Sequence, residues 1–556
     1  MIKNFRLRFG RAPQIPAEEV HCTPITVFVG PNNSGKSKVL SELHRYCAAG
    51  GTSLNDVVLG HLEFEGFSRD EATRRIAEVT LDPQPSERDY IGYVVVGKRG
   101  QRQLALPENL LSALVSPSSN PAEFCGSYLK FHTIFLDGQS RIQLIQNQGA
   151  GDLQERPENS FQVLFQDSRR RTELQRIIHE AFGTFLVIDP TRLGVLRLRL
   201  SAVPPPSQIV EQGIHQEAVS FHGAAAPIEF ASDGVKAFTG IMVEIIAGAP
   251  SVLLIDEPEA FLHPGLAFIL GREICRAAAG SDRRVFVSTH SPNFVMGCVQ
   301  SGAPITLIRL TYRNGIPTAR VLASADILRL MRNPLLRSTS VLTGLFHESV
   351  VVTESDADRA FYQEINERLL RDRPDMGIPN CLFLNAQNKQ TVPTIIRPLR
   401  ELGIAAAGIV DIDVIKDGGA TWASATGGAF LPDLEGQAMA QLRAAAKARF
   451  DATGCDMKRE GGIALLAGTD REAVENLFRR LAEYGLFVVP GGEVESWLKA
   501  VGATGHGPAW LVEMFERLGE DPTSASYVHA GVDDVWGFMG SIKEWFGNAN
   551  RRGIPT

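Results

Sequence analysis

At 556 residues the chain exceeds what one hydrophobic core serves, since cores rarely grow past roughly 250–300 residues, so two to four domains are expected. Apolar residues at 44% and charged residues at 21%, with no long biased tract, argue against a disordered chain. The net charge of -7 argues against a general polyanion binder of the histone kind, and seven singly scattered cysteines argue against a zinc clamp or a secreted disulfide framework.

The N-terminus, MIKNFRLRFGRAP, is basic but lacks the apolar stretch of a signal peptide, and no window approaches 18 uninterrupted apolar residues. A cytoplasmic protein with no membrane partner is therefore expected. The first buried strand is Ile25 to Val29, followed by Gly30-Pro-Asn-Asn-Ser-Gly-Lys-Ser37 and a helical pattern over Ser37 to Cys47. This fits G-x-x-x-x-G-K-[ST] in its strand-loop-helix context: Gly30, Asn33 and Gly35 let backbone N–H groups curl around phosphate oxygens, Lys36 reaches the β- and γ-phosphates, and Ser37 ligates Mg²⁺. ATP and Mg²⁺ are the expected cofactors.

Residues 50 to 230 are less regular, with strands expected at Ile91 to Val96 and Leu193 to Leu200. Regular alternation resumes with Ser251-Val-Leu-Leu-Ile-Asp256-Glu257-Pro258, an apolar strand ending in two carboxylates. Asp256 is placed to hold the Mg²⁺ shell and Glu257 to orient or deprotonate the attacking water. A helix over Leu266 to Ala279 and a strand over Val285 to Val287 follow, and His290, just past that strand, suits a γ-phosphate sensor.

A new strand-helix alternation starts near residue 345. Ser349 to Thr353 runs into Glu354, and Asp358 falls in the first turn of the next helix; about fifty residues on, Gly408-Ile-Val-Asp411-Ile-Asp413 repeats the pattern. Residues two apart on a strand project on the same side, so Asp411 and Asp413 can converge. Carboxylates this close repel unless a hard cation neutralises them, and an all-oxygen set suits Mg²⁺ or Mn²⁺, which makes phosphodiester hydrolysis the natural chemistry. Glu493 and Glu495, after the apolar run Leu486 to Val489, are candidates for a second metal ion, whereas Asp358 alone also suits a helix N-terminus. Among Lys389, Lys499 and Lys543, Lys543 is the first choice for a cation on the scissile phosphate. Residues 506–556 carry three of the five tryptophans and read as a helical segment packed on the preceding domain.

The ordered motifs GPNNSGKS, LLIDEPEAFLHP and VSTHSP resemble ABC-type ATPases of the SMC and RecF kind. That resemblance implies a signature loop from a partner subunit, and Ala231 to Lys236, with Ser232 and Gly234, lies where it is expected, departing from L-S-G-G-Q at Asp233 and Lys236. Two heads would then sandwich ATP in a homodimer. Gln139 is a weaker candidate for the Q-loop position. Glu354 with the D-x-D at Asp411 resembles a Toprim domain, in which the first motif usually reads E-G; here Ser355 stands in place of glycine.

The whole reads as α/β: an ABC-type P-loop ATPase head over 1–340, with its irregular part at 50–230, a Toprim domain over 345–505, and a helical extension over 506–556. An ATPase joined to a Toprim domain resembles the OLD (overcoming lysogenization defect) nucleases. The resemblance implies DNA as partner, a homodimer or larger assembly, DNA cleavage, and a role in defence against phage, sometimes with a companion protein. The main rival is an ATP-driven DNA clamp whose Toprim site is not catalytic. A strand-transferring topoisomerase would need a tyrosine in a winged-helix context, which none of the eight tyrosines shows. Arg169 to Arg171 and Arg329, Arg332 and Arg337 are the basic clusters available for phosphate contacts, or else solvated helix faces.

Overall fold

The computed structural model describes residues 1–555 other than 249, 314 and 339. The chain divides into two compact units, Met1–Leu328 and Arg329–Thr556. The division falls within the helix Ser324–Arg332.

The first unit is built on a six-stranded sheet of β1 (Ile25–Val29), β2 (Thr133–Leu136), β3 (Val252–Asp256), β4 (Arg284–Ser288), β5 (Ile305–Arg313) and β6 (Ile316–Leu322), in the spatial order β6-β5-β1-β4-β3-β2. All neighbours are parallel except β5 and β6. Every residue of β1 is buried, which is why it reads as a continuous β-branched run rather than an alternating one. Helix α1 (Lys36–Ala49) leaves the end of β1 and buries Val39, Leu40 and Leu43. Three further helices flank this sheet: the short α2 (Ser140–Gln143) after β2, α3 (Asp233–Val243) before β3, and α4 (Pro264–Ala278) after β3.

The irregular stretch resolves into small antiparallel sheets. The strand expected at Ile91 is Val94–Lys98: Ile91 is 95% exposed in a turn that needs Gly92 at φ 87°. The strand expected from Leu193 is Val195–Ser201, since Leu193 is 80% exposed and Gly194 turns at φ 79° before pairing begins.

The second unit carries a fully parallel sheet of β7 (Ser349–Thr353), β8 (Cys381–Asn385), β9 (Ala405–Val410) and β10 (Leu486–Val488), in the order β8-β7-β9-β10. Helix α5 (Asp356–Asp372) follows β7 and buries Phe361, Tyr362, Ile365 and Leu369. A long helix, α6 (Asp433–Thr453), lies in the crossover between β9 and β10. The last helices, α7 (Pro508–Leu518) and α8 (Asp534–Gly547), bury Trp510, Met514, Trp536 and Trp545 in the core that holds Phe361 and Tyr362. Buried Arg368 of α5 ties them further, donating to the carbonyls of Leu518 (3.1 Å) and Val528 (3.0 Å). Among the described residues no helix is long and apolar enough to cross a membrane, and all seven cysteines are free thiols.

Candidate nucleotide and metal sites

The phosphate loop leaves β1 where β5 runs alongside. Gly30 sits at φ 145°, and a Cβ there would lie 2.0 Å from the Leu310 carbonyl oxygen, so glycine is required. Gly35, at φ 96°, ends the loop at the N-terminus of α1, and Asn33 takes φ 60° at the exposed crest. The Lys36 ammonium turns back on this loop, donating to the carbonyls of Gly30 (2.8 Å) and Pro31 (2.7 Å). Burial pulls it down to about 8, against the raising pull of Glu257 and Asp256.

Adjacent parallel strands bring the remaining groups to this edge. Ser37 Oγ donates to Asp256 Oδ1 at 3.0 Å, and Ser288 Oγ, at the end of β4, donates to the same oxygen. Ser37 and Asp256 are thus neighbours, as a shared Mg²⁺ requires. Glu257 stands just beyond β3 in the left-handed region, φ 49°, with Oε1 3.3 Å from His290 Nε2. Desolvation, helped by Lys36, holds the His290 imidazole below its ordinary range, against the raising pull of Glu257 and Asp256. Glu259, not singled out from sequence, accepts from Thr289 Oγ1 and the His290 amide, both at 2.8 Å, and so fixes the loop that carries the histidine. Ser232 caps α3, with Gly234 in its first turn, and Asp233 and Lys236 form a 2.8 Å ion pair on the same turn. Gln139 is exposed at the head of α2, in a turn closed by Asp137.

The second unit gathers its acids at the C-terminal ends of its parallel strands, where open α/β sheets form clefts. The cleft measures about 540 Å³ and is lined by Glu354, Asp358, Asp411, Asp413, Glu493 and Glu495, with Lys389, Lys458 and His506. Glu354 Oε1 accepts the Asp411 amide at 2.9 Å, tying the exits of β7 and β9 together. Asp411 and Asp413 do converge, but not along a strand: β9 ends at Val410, and Asp411 opens a 3-10 turn, Ile412–Ile415. Asp358 closes a capping box instead of pointing free, with the Ser355 amide donating to Asp358 Oδ2 (2.9 Å) and the Asp358 amide to Ser355 Oγ (3.1 Å).

The carboxyls of this cleft are buried and crowded. Burial and the neighbouring Asp411 push Glu354 up to about 8, and burial pushes Asp411 up to about 7, against the pull of Lys458. Burial and Glu495 likewise raise Glu493. Ligand oxygens of Glu354, Asp411 and Asp413 lie within 4.8 Å of one another, as do those of Glu493 and Glu495 with a His506 nitrogen. Asp413 Oδ1 is buried without a hydrogen-bond partner. An all-oxygen trio with an unpartnered buried oxygen fits Mg²⁺ or Mn²⁺.

The cation in the cleft is not Lys543. That side chain lies on α8 and donates to the carbonyl of Pro374 at 3.0 Å and to that of Asp375, because the packing of α8 against α5 turns it to the far end of that helix. Lys499 is exposed in a separate 3-10 turn and does not line the cleft. Lys458 and Lys389 do. Lys458 Nζ is 2.7 Å from Asp411 Oδ2, 3.9 Å from Asp413 and 4.0 Å from Glu493; Lys389 Nζ is 3.0 Å from Asp413 Oδ2 and 2.8 Å from Asp417. Lys458 arrives on the segment after α6, which docks on the loop leaving β10: Ile463 donates to the Pro490 carbonyl at 2.9 Å. Gly492, at φ 120°, lets the Lys458 backbone approach, since a Cβ there would lie 2.0 Å from its carbonyl oxygen. Of the basic clusters, Arg171 is buried against Glu211 at 3.1 Å, and Arg329 pairs with Glu401 at 3.1 Å.

Comparison with known proteins bears on the first unit. The solved structures that resemble the chain include three SMC heads. A SmcHead bound to the C-winged helix domain of ScpA is 13% identical, with 59% of this chain and 99% of that one covered, at TM-score 0.33. The SMC head domain from Thermotoga maritima is 14% identical, with 58% and 99% covered, at TM-score 0.30. A Pyrococcus furiosus Smc head with an extended coiled coil, bound to the C-terminal domain of ScpA, is 11% identical, with 59% and 98% covered, at TM-score 0.30. No curated protein matches in sequence. The family model described as "AAA domain, putative AbiEii toxin, Type IV TA system" matches residues 158–296, which include Ser232, Asp256, Glu257 and His290. With the phosphate loop folded beside those residues, the chain carries an ABC-type P-loop ATPase domain.

Proposed function

We propose that the protein is an ATP-hydrolysing, divalent-metal-dependent DNA endonuclease whose cutting site is the acidic cleft of the second unit, a Toprim-type centre of the OLD nuclease kind. The observation that carries this reading is the convergence of Glu354, Asp411 and Asp413 at strand ends, with their charge left partly unneutralised by Lys458 and Lys389. A divalent ion held by Glu354, Asp411 and Asp413, with a second on Glu493 and Glu495, would supply an activated water and a Lewis acid for phosphodiester hydrolysis. Lys458 and Lys389 present ammonium groups on the same wall, where they offset the negative charge of a phosphate backbone. Asp358 holds the turn after Glu354 rather than serving as a primary ligand. In the ATPase domain, Lys36 would leave its loop carbonyls for the nucleotide phosphates, Ser37 and Asp256 would hold Mg²⁺, and Glu257 with His290 would orient water.

The signature turn at Ser232–Gly234 acts on the nucleotide of a second copy, so the working form is a homodimer or larger assembly, and defence against phage, alone or with a companion protein, is the biological setting this architecture suits. The test is cleavage of circular and linear DNA with Mg²⁺ or Mn²⁺, with and without ATP, by the wild type, Lys36→Ala and Asp411→Ala. The wild type should cut and Asp411→Ala should not, while Lys36→Ala shows whether ATP drives cutting. Cleavage unaffected in Asp411→Ala sinks the nuclease assignment; a wild type that cuts nothing favours an ATP-driven clamp.

A further inference from the structure

Arg141, on α2, is 1% exposed, yet among the described residues it makes no ion pair. Its Nη1 donates to the main-chain carbonyl of Glu257 at 2.6 Å and reaches that of Asp256 at 3.5 Å, and its guanidinium lies 5.8 Å from the centre of the Phe261 ring. Its Nε has no partner. Glu259, Glu257, Asp137 and Asp256 attract it from beyond pairing distance, but the hydrogen bonds it makes go to main-chain carbonyls of the turn after β3, a choice of partner that packing alone does not explain.

That contact falls on a strained residue. Glu257 sits at φ 49°, a conformation that non-glycine residues rarely adopt and that persists only where the surroundings hold it. Its amide donates to the Ser288 carbonyl at 2.9 Å, and its carbonyl accepts from Arg141. The peptide planes on both sides of its Cα are thereby fixed, and with them the direction of the carboxylate toward His290.

The signature helix bears on the same joint. A Cβ on Gly240 of α3 would lie 2.1 Å from the Arg141 carbonyl oxygen, and one on Gly234 would lie 2.6 Å from that of Phe261. Both glycines are therefore close-approach positions, where α3 touches the backbone of α2 and the turn that follows Glu257.

We propose that Arg141 is a positioning residue for ATP hydrolysis: it holds the main chain of Glu257 in its left-handed turn and couples that turn to the helix headed by Ser232. The inference rests on hydrolysis at this ATPase domain and is independent of the nuclease reading. Displacement of α3 as a second head engages the nucleotide would reach Glu257 through Arg141.

The test uses full-length Arg141→Met, Arg141→Lys, Glu257→Gln and the double variant Arg141→Met/Glu257→Gln, measuring kcat for ATP and equilibrium binding of the non-hydrolysable analogue AMP-PNP with Mg²⁺. Arg141→Met should bind AMP-PNP within about twofold of wild type while kcat falls on the order of 10–100-fold, the scale of a misplaced catalytic group. Arg141→Lys, which still donates to a carbonyl, should recover part of the loss. The double variant should turn over no slower than Glu257→Gln alone, because both act through one carboxylate. Wild-type kcat in Arg141→Met, losses that multiply in the double variant, or parallel loss of AMP-PNP binding each overturn the inference. If Arg141→Met does not fold, Arg141→Lys decides by the same split between kcat and binding. A wild type that hydrolyses no ATP overturns the hydrolysis reading as well; normal wild-type turnover with an unaffected variant overturns the inference alone.

Discussion

Glu354 and Asp411 carry charge that the folded protein is poorly built to hold without a metal ion. In metal-free protein their carboxyls stand at about 8 and about 7, far above the ordinary carboxylate range near 4, because both are buried and crowded. The folded state thus keeps protons that the unfolded chain surrenders, so stability is greatest below the ordinary range and is lost as pH rises toward 8. With EDTA present, Tm of the second unit should fall between pH 5 and pH 8, and Glu354→Gln should flatten that slope. A domain of this size moves about 2–4 °C per kcal/mol, so the difference is measurable by differential scanning fluorimetry. Parallel slopes for the two proteins would refute the argument. Lys458, the cation nearest Asp411, was invisible in the sequence for a physical reason: it lies far from the acids along the chain, and only the docking of the segment after α6 on Pro490–Gly492 brings it in. Lys543, the first choice from sequence, lies on a helix that turns it to the carbonyls of Pro374 and Asp375 instead.

Elements with strong local chemistry were legible, and those shaped by tertiary contact were not. The strand-loop-helix around Lys36 and the buried runs of β3, β4 and β7 read directly from apolar patterning, since each is buried along most or all of its length. The turn at Asp411 did not, because alternation predicts where a strand's side chains point but not where pairing stops; β9 loses its partners one residue before the first aspartate. The start of α5 shows how the departure from an E-G motif is used. Ser355 caps the helix, and Asp358 returns the hydrogen bond. Ser355→Ala should cost about 1 kcal/mol of stability, and by freeing Asp358 it should also alter metal affinity at the cleft. Urea unfolding and Mn²⁺ titration of the same variant check the two effects; a variant equal to wild type in both would show the cap to be idle.

At the scale of the whole molecule, the proposed function assigns the two compact units two chemistries, each with its own ligand. A ligand that binds only the folded state stabilises it by RT ln(1 + [L]/Kd), about 2.7 kcal/mol at one hundred times Kd. Calorimetry of the full chain should therefore show ATP with Mg²⁺ raising the transition of Met1–Leu328, and Mn²⁺ alone raising that of Arg329–Thr556. Lys36→Ala should abolish the first shift, since it removes the ammonium that donates to the phosphate-loop carbonyls, and leave the second intact. Asp411→Asn should do the reverse, because it removes a charge shared by Glu354, Asp413 and Lys458. If instead either substitution erases both shifts, the two units do not unfold as separate cooperative bodies, and ATP and metal are linked through the whole chain. That outcome would make nucleotide state a direct determinant of metal occupancy in the cleft, a coupling that the ATP dependence of DNA cleavage must then reproduce in sign.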